Sequence, residues 1–228
     1  MEEKVKYFNY LEKERLERIF YKQPQEFDKK TDKDILKYAL GAFLYIPANK
    51  YEQIYKSVVN QEKEAKPLAI CLEDAISEFG EREAIENLKL VLDDLSKQVF
   101  CKLEKLPLIF IRVKNKEQLK KIKDILIKNK DFITGIIIPK ADSELLEDFI
   151  SILDNFNLNN LYIIPIIESS KFIYKDILEI NKDEYKGILF NYIIMYEKSK
   201  KFEDIYMRQA QPIIHYQNGQ AILHVRVK

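Results

Sequence analysis

The chain has 228 residues, 46% hydrophobic and 33% charged, with 38 Lys and Arg against 37 Asp and Glu for a net charge of +1. The length suits one sizeable domain with a full core, and the even charge removes any electrostatic case for nucleic acid or an anionic membrane surface. No apolar run approaches the roughly 20 residues of a bilayer span, Met1-Glu2-Glu3-Lys4 lacks a signal peptide's basic start and apolar core, and two cysteines make no disulfide framework, so a cytoplasmic protein is expected.

The first forty residues predict an N-terminal helical extension, 1–40, packed on the domain that follows. Tyr10, Leu11, Leu16, Ile19 and Phe20 fit a helix over 10–20, closed by a turn at Pro24. Thr31 or Asp32 starts a second helix with Ile35, Leu36 and Ala39 facing inward. From Gly41 a rhythm sets in. A strand over 42–46 is broken by Pro47, and a helix follows over 50–64 on Tyr51, Ile54, Tyr55 and Val58. Leu68-Ala69-Ile70-Cys71-Leu72 is too short and too apolar for anything but a strand buried on both faces, and it runs into Glu73 and Asp74. The clearest helix spans 81–97, with Ile85, Leu88, Leu92 and Leu95 on one stripe.

The pattern repeats. A strand over 108–113 carries Arg112; a helix over 116–128 follows. A strand over 135–138 ends at Pro139-Lys140, and Asp142 or Ser143 caps the next helix. Tyr162-Ile163-Ile164-Pro165-Ile166-Ile167 closes on Glu168, and Pro165, inside that run, predicts a bulge or local break. After a helix near 172–180, Gly187-Ile188-Leu189-Phe190 makes a sixth strand. Strands alternating with helices predict an α/β protein of successive right-handed βαβ units around a parallel sheet. The rhythm changes after residue 192. A β-hairpin over 212–226 turns on Asn218-Gly219, with Ile214, Tyr216, Ala221, Leu223 and Val225 on one face and His215, Gln217, Gln220 and His224 on the other.

The candidate functional residues all sit where strands end: Glu73, Asp74, Arg112, Lys140 and Glu168. In a barrel of parallel strands these ends form one ring. Two carboxylates suit a Mg²⁺ ion that keeps several waters, and the planar fork of Arg112 suits a substrate carboxylate. A metal with an arginine holds an α-keto acid and stabilises its enolate. Plainer readings stand beside these: helix capping for Glu73 and Asp74, a structural ion pair for Arg112, a solvated loop lysine for Lys140. A carboxylate as close to a core as Glu168 is costly unless paired or coordinated. His215 and His224 show no third ligand and read as a polar outer face; Cys71 reads as a buried apolar filler. No Gly-rich phosphate loop occurs, which counts against a Rossmann or P-loop enzyme and against a phosphorylated substrate.

Leu44-Tyr45-Ile46-Pro47-Ala48-Asn49, Cys71-Leu72-Glu73-Asp74-Ala75, Ile111-Arg112-Val113, Ile138-Pro139-Lys140 and Ile166-Ile167-Glu168 together resemble the strand ends of the HpcH/HpaI aldolase and citrate-lyase β-subunit family, in its order. The lead-in from Tyr7-Phe8-Asn9-Tyr10 to Tyr38-Ala39-Leu40-Gly41-Ala42 resembles a bacterial branch often associated with stress or tellurium-resistance gene clusters. The resemblance implies a (β/α)₈ TIM-type barrel, a divalent metal (Mg²⁺, with Mn²⁺ as substitute), and making or breaking of a C–C bond in a small keto or hydroxy acid or an acyl-CoA thioester. It implies that Glu168 ligates the metal, that Arg112, with Lys140 beside it, binds substrate, and that Glu73 and Asp74 line the catalytic site. Two departures follow. The family's second metal carboxylate, an Asp near the sixth strand's end, has no match in Gly187-Ile188-Leu189-Phe190-Asn191-Tyr192, where Asn191 offers one neutral oxygen. Only about six βα units fit, so the barrel domain, 41–228 with its hairpin, is either closed by the hairpin or incomplete, and open edges favour a homo-oligomer. The alternative is a non-catalytic descendant that serves as a binding or assembly subunit.

Overall fold

The structure, a computed structural model, describes residues 6–8, 10–21, 23–59, 67–73, 76, 78–101, 107–166, 211–217 and 220–226. Its centre is a five-stranded parallel sheet in the order of the chain: β1 (Leu44–Pro47), β2 (Leu68–Cys71), β3 (Ile109–Arg112), β4 (Ile133–Ile138) and β5 (Tyr162–Pro165). Two short helices, α1 (Lys13–Ile19) and α2 (Lys33–Ala39), precede it. α3 (Tyr51–Val59), α4 (Glu81–Cys101), α5 (Lys116–Lys121), α6 (Lys123–Lys128) and α7 (Ser143–Asn155) fill the connections. This is the strand-helix alternation of a (β/α) barrel, seen through its first five strands. The expected sixth strand, at 187–190, lies outside the described residues.

Alternation along the strands separates two cores. Ile46, Leu68, Ile70, Ile109, Ile111, Ile136, Ile138 and Ile163 point to one face and pack against Ile54, Val58, Leu88, Leu92, Leu119, Leu126, Phe149 and Leu153 of the helical layer. Ala69, Phe110, Ile137 and Ile164 point to the other, which is the barrel's interior face. Phe27, Leu36 and Leu40 of the N-terminal section bury themselves there. That section is fastened by Tyr7, whose hydroxyl donates to the Leu40 carbonyl at 2.8 Å, and by Tyr162, whose hydroxyl donates to the Thr31 carbonyl at 3.3 Å. Gly41, with φ of +64°, turns the chain out of α2 into β1 in the left-handed conformation that glycine adopts at no steric cost. Within α2 the packing differs from expectation at one position: Leu36 is buried but Ile35 is 52% exposed. One face of so short a helix reaches the sheet, and Leu36 and Leu40, four apart, take it.

Other differences have local causes. The helix expected over 116–128 is two, α5 and α6, because Ile122 leaves helical geometry (φ −93°, ψ 8°), although the Leu126 amide still donates to the Ile122 carbonyl at 3.0 Å. Asn115 caps α5 by accepting from the Gln118 amide, and Asp142 caps α7 by accepting from Leu145 at 2.9 Å. Pro165 makes no bulge. It pairs with Ile138, and the Ile166 amide donates to the Ile138 carbonyl at 2.8 Å, so the proline's missing N–H faces away from β4 and no bond of the β4–β5 ladder is lost. The register irregularity lies instead between Ile109 and Phe110, where β3 meets β4. The C-terminal hairpin pairs β6 (Gln211–Gln217) with β7 (Gln220–Arg226) in the expected register, Ile214 opposite Leu223 and Tyr216 opposite Ala221, as a sheet of its own.

Two outcomes follow from this packing. Gly135 pairs with Phe110, whose ring occupies the space that a side chain would take; a Cβ there lies 2.9 Å from Phe110 Cε1 and collides with the Tyr162 carbonyl. Gly135→Ala is therefore expected to lose about 1–3 kcal/mol in urea unfolding. Between α3 and α4 the Tyr51 hydroxyl donates to Asp94 Oδ2 at 2.8 Å, and this bond, aided by burial, pushes the phenol up to about 12. The unfolded phenol titrates near ~10, so this contribution to stability is complete below that pH and is lost as the pH rises through the folded value. The Tyr51 Cζ resonance should titrate late, and Asp94→Ala should return it toward the ordinary range.

Candidate active site

The interior face ends, at the C-terminal edge of the sheet, in charge. Residues 69, 71 and 73 share one side of β2 and its extension; residues 108, 110 and 112 share the same side of β3. Cys71 pairs with Arg112 in register, and the Leu72 amide donates to the Arg112 carbonyl at 2.8 Å. This brings the Arg112 guanidinium onto the Glu73 carboxylate as an ion pair of which the side chains are only 13% and 8% exposed. The loop after β2 is shaped to deliver Glu73. Its amide donates to Cys71 Sγ at 3.4 Å, and its carbonyl accepts from Ile76 at 2.9 Å, which turns the chain toward α4.

Tyr45, on the interior side of β1, places its ring 5.8 Å from the guanidinium carbon of Arg112, within the range of a cation–π contact. Phe43 precedes it on the same side and meets Phe110 edge-on at 5.1 Å. An arginine held by a carboxylate and an aromatic face keeps its charge at all accessible pH and has its planar fork pre-oriented. Taking two charges out of water is costly, and the pair persists because each partner neutralises the other.

The buried amide of Gln118 links the two loops that carry the pair. Its Oε1 accepts from the Lys114 amide at 2.7 Å, and its Nε2 donates to the Leu72 carbonyl at 3.1 Å and toward Glu81 Oε1 at 3.4 Å. Glu81, its carboxyl lowered chiefly by the hydrogen bond from Lys121, pairs with that lysine at 2.9 Å. Lys140 stands at the same end of the sheet, three residues beyond Ile137, the β4 partner of Arg112. It is exposed and left-handed, with φ of +49°, a conformation in which the next amide, of Ala141, donates to the Ile166 carbonyl at 3.1 Å.

Of the five residues expected from sequence, the structure joins Glu73 and Arg112 and puts Lys140 at the same edge; Asp74 and Glu168 lie outside the described residues. Cys71 is a buried free thiol. Among the described residues, no three His, Cys, Asp or Glu side chains come together as a metal site. A groove of about 420 Å³ lined by Phe79, Glu81, Arg82, Ile85, Glu86 and Lys121 holds none of the expected residues. Tyr45 and Gln118 were not among the expected residues. The parity of positions 43 and 45 on β1 signals the first; the second carries a weaker mark, a glutamine three residues after the capping Asn115.

No curated protein matches the chain at a significant level. Solved structures match over part of it. Malate synthase from Haloferax volcanii, in a magnesium/glyoxylate complex, is 18% identical over 56% of this chain and 42% of its own, with a TM-score of 0.44. CitE from Mycobacterium tuberculosis, in complex with magnesium and acetate, is 18% identical over 59% and 47%, with a TM-score of 0.39. RipC from Yersinia pestis is 16% identical over 59% and 49%, with a TM-score of 0.37. The match thus spans less than half the length of each. Among the described residues, no helix is long and apolar enough to cross a membrane. The family model for C–C bond lyases of the TIM-barrel fold matches residues 34–193, well over half of the chain. The parallel sheet, its order and its strand-end residues all fall within that match, and the chain belongs to the family of C–C bond lyases of the TIM-barrel fold.

Proposed function

We propose that the protein makes or breaks a C–C bond in a small keto or hydroxy acid, or in an acyl-CoA thioester, at the C-terminal end of the sheet. The observation that supports this reading is the buried Glu73–Arg112 pair beneath Tyr45. Arg112 takes the substrate carboxylate through its fork, where charge-assisted hydrogen bonds are strongest. Glu73 keeps the guanidinium in place, and Tyr45 covers its face and sheds water from one side. Asp74, next in the chain, is the acid–base partner we assign to the reacting carbon, and Lys140 is a second contact for the substrate's anionic end.

The metal is Mg²⁺, the ion implied by the family, and Glu168 is its assigned ligand. The described residues do not make a metal site by themselves, and Glu73 is turned onto Arg112. When bound, the ion would polarise the substrate carbonyl and stabilise the enolate. A second copy of the chain is proposed to cover the edges of the sheet.

Calorimetric titration with Mg²⁺ tests the metal. Binding to the wild type that disappears in Glu168→Ala is expected; a folded wild type that takes up no Mg²⁺ at millimolar concentration overturns the lyase and leaves a binding or assembly subunit. Arg112→Lys keeps the charge and loses the fork. Keto-acid binding, measured in the presence of Mg²⁺, should weaken by about 1.5–3 kcal/mol. Glu73→Gln removes one partner of a buried pair and should cost about 3–5 kcal/mol in urea unfolding.

A further inference from the structure

We infer that Gln118 is a positioning residue for the Arg112 clamp: its side-chain amide is a spacer inserted into the β2–β3 ladder at the level of the Glu73–Arg112 pair. The inference rests on the reading of Arg112 as a carboxylate clamp. Two rungs show the ladder's phase. The Leu68 amide donates to the Leu108 carbonyl at 2.9 Å, and the Leu72 amide to the Arg112 carbonyl at 2.8 Å. In a parallel pair each such residue is bracketed by the neighbours of its partner, so the next rung is the Lys114 amide donating to the Leu72 carbonyl. That rung is not made directly. The Lys114 amide donates to Gln118 Oε1, and Gln118 Nε2 donates to the Leu72 carbonyl. One primary amide stands between donor and acceptor and completes both bonds.

The orientation of that amide is dictated by its partners, since only its oxygen can meet an N–H and only its nitrogen a carbonyl. Gln118 is 2% exposed, and its backbone is held by the Asn115 cap, whose Oδ1 accepts from the Gln118 amide at 2.9 Å. Leu72 immediately precedes Glu73, and Lys114 follows Arg112 by two. The spacer therefore sets how far the two strand ends separate where the ion pair lies. An apolar residue of equal length makes neither bond.

The test uses the full chain with Gln118→Leu, Gln118→Glu and, as a control, Glu81→Gln, which leaves both spacer bonds in place. Two readouts are taken on folded protein: the Arg112 Nε–Hε resonance, and the affinity for oxalate with Mg²⁺. In Gln118→Leu the resonance is expected to move and oxalate binding to weaken by about tenfold or more, the scale of a misplaced binding group; Glu81→Gln is expected to change neither. Should Gln118→Leu fail to fold, Gln118→Glu retains the acceptor arm and reads the loss of the donor arm by the same two measurements. A melting temperature that falls while the Arg112 resonance and oxalate affinity stay at wild-type values overturns the inference and makes Gln118 a packing residue. A resonance that moves in a protein whose wild type binds no oxalate keeps the spacer and removes the lyase reading instead.

Discussion

A parallel sheet built from β2, β3 and β4 must be covered on both faces, because its strands are apolar on both. The burial of every residue of Leu68–Cys71 and Ile133–Ile138 records that demand. Helices α3 to α7 answer it on one side. On the other, where a closed barrel fills its interior from its own strands, Phe27, Leu36 and Leu40 of the N-terminal section add to the filling. The hydrophobic effect thus assigns the N-terminal residues a structural duty: they share one apolar cluster with Phe110 and Ile137 on the interior face.

The charged C-terminal end of that face obeys a different constraint. A guanidinium with 13% of its side chain exposed needs a counter-charge, and Glu73 supplies it across one register step. The pair, the Tyr45 ring and the Gln118 amide come from three strand ends and one helix start. Each is held by backbone bonds of the sheet or by a cap, so the geometry is carried by rigid elements and not by long loops.

Much of this was legible in the sequence. Leu68-Ala69-Ile70-Cys71 is apolar without interruption, which only a strand covered on both faces explains, and the stripe of Leu88, Leu92 and Leu95 announces α4. Glu73 and Arg112 stood out as charges at strand ends. Their contact with each other was not legible, because it depends on Cys71 facing Arg112 in the register between strands 41 residues apart in the chain. Pro165 misled for a related reason: a proline's effect on a ladder depends on which neighbour its nitrogen faces, and that is a property of the sheet. Ile35 and Leu36 are equally apolar, and only the direction of α2 against the sheet separates them. Gln118 looks like any polar helix residue until the Leu72 carbonyl is known to lie across from it.

The Phe110 ring, seated over Gly135 and meeting Phe43 edge-on, has a consequence for the shape of the site. It lies two residues below Arg112 on the same face and is fully buried, so it is a floor. A molecule whose carboxylate reaches Arg112 can go no deeper, and its remaining atoms must extend away from the sheet, toward the connections that follow the strands. Chain length beyond the anchored carboxylate is therefore not limited by the sheet. On the proposed reading of Arg112, the sheet sets how the anionic end is held and leaves the length of the rest unrestricted.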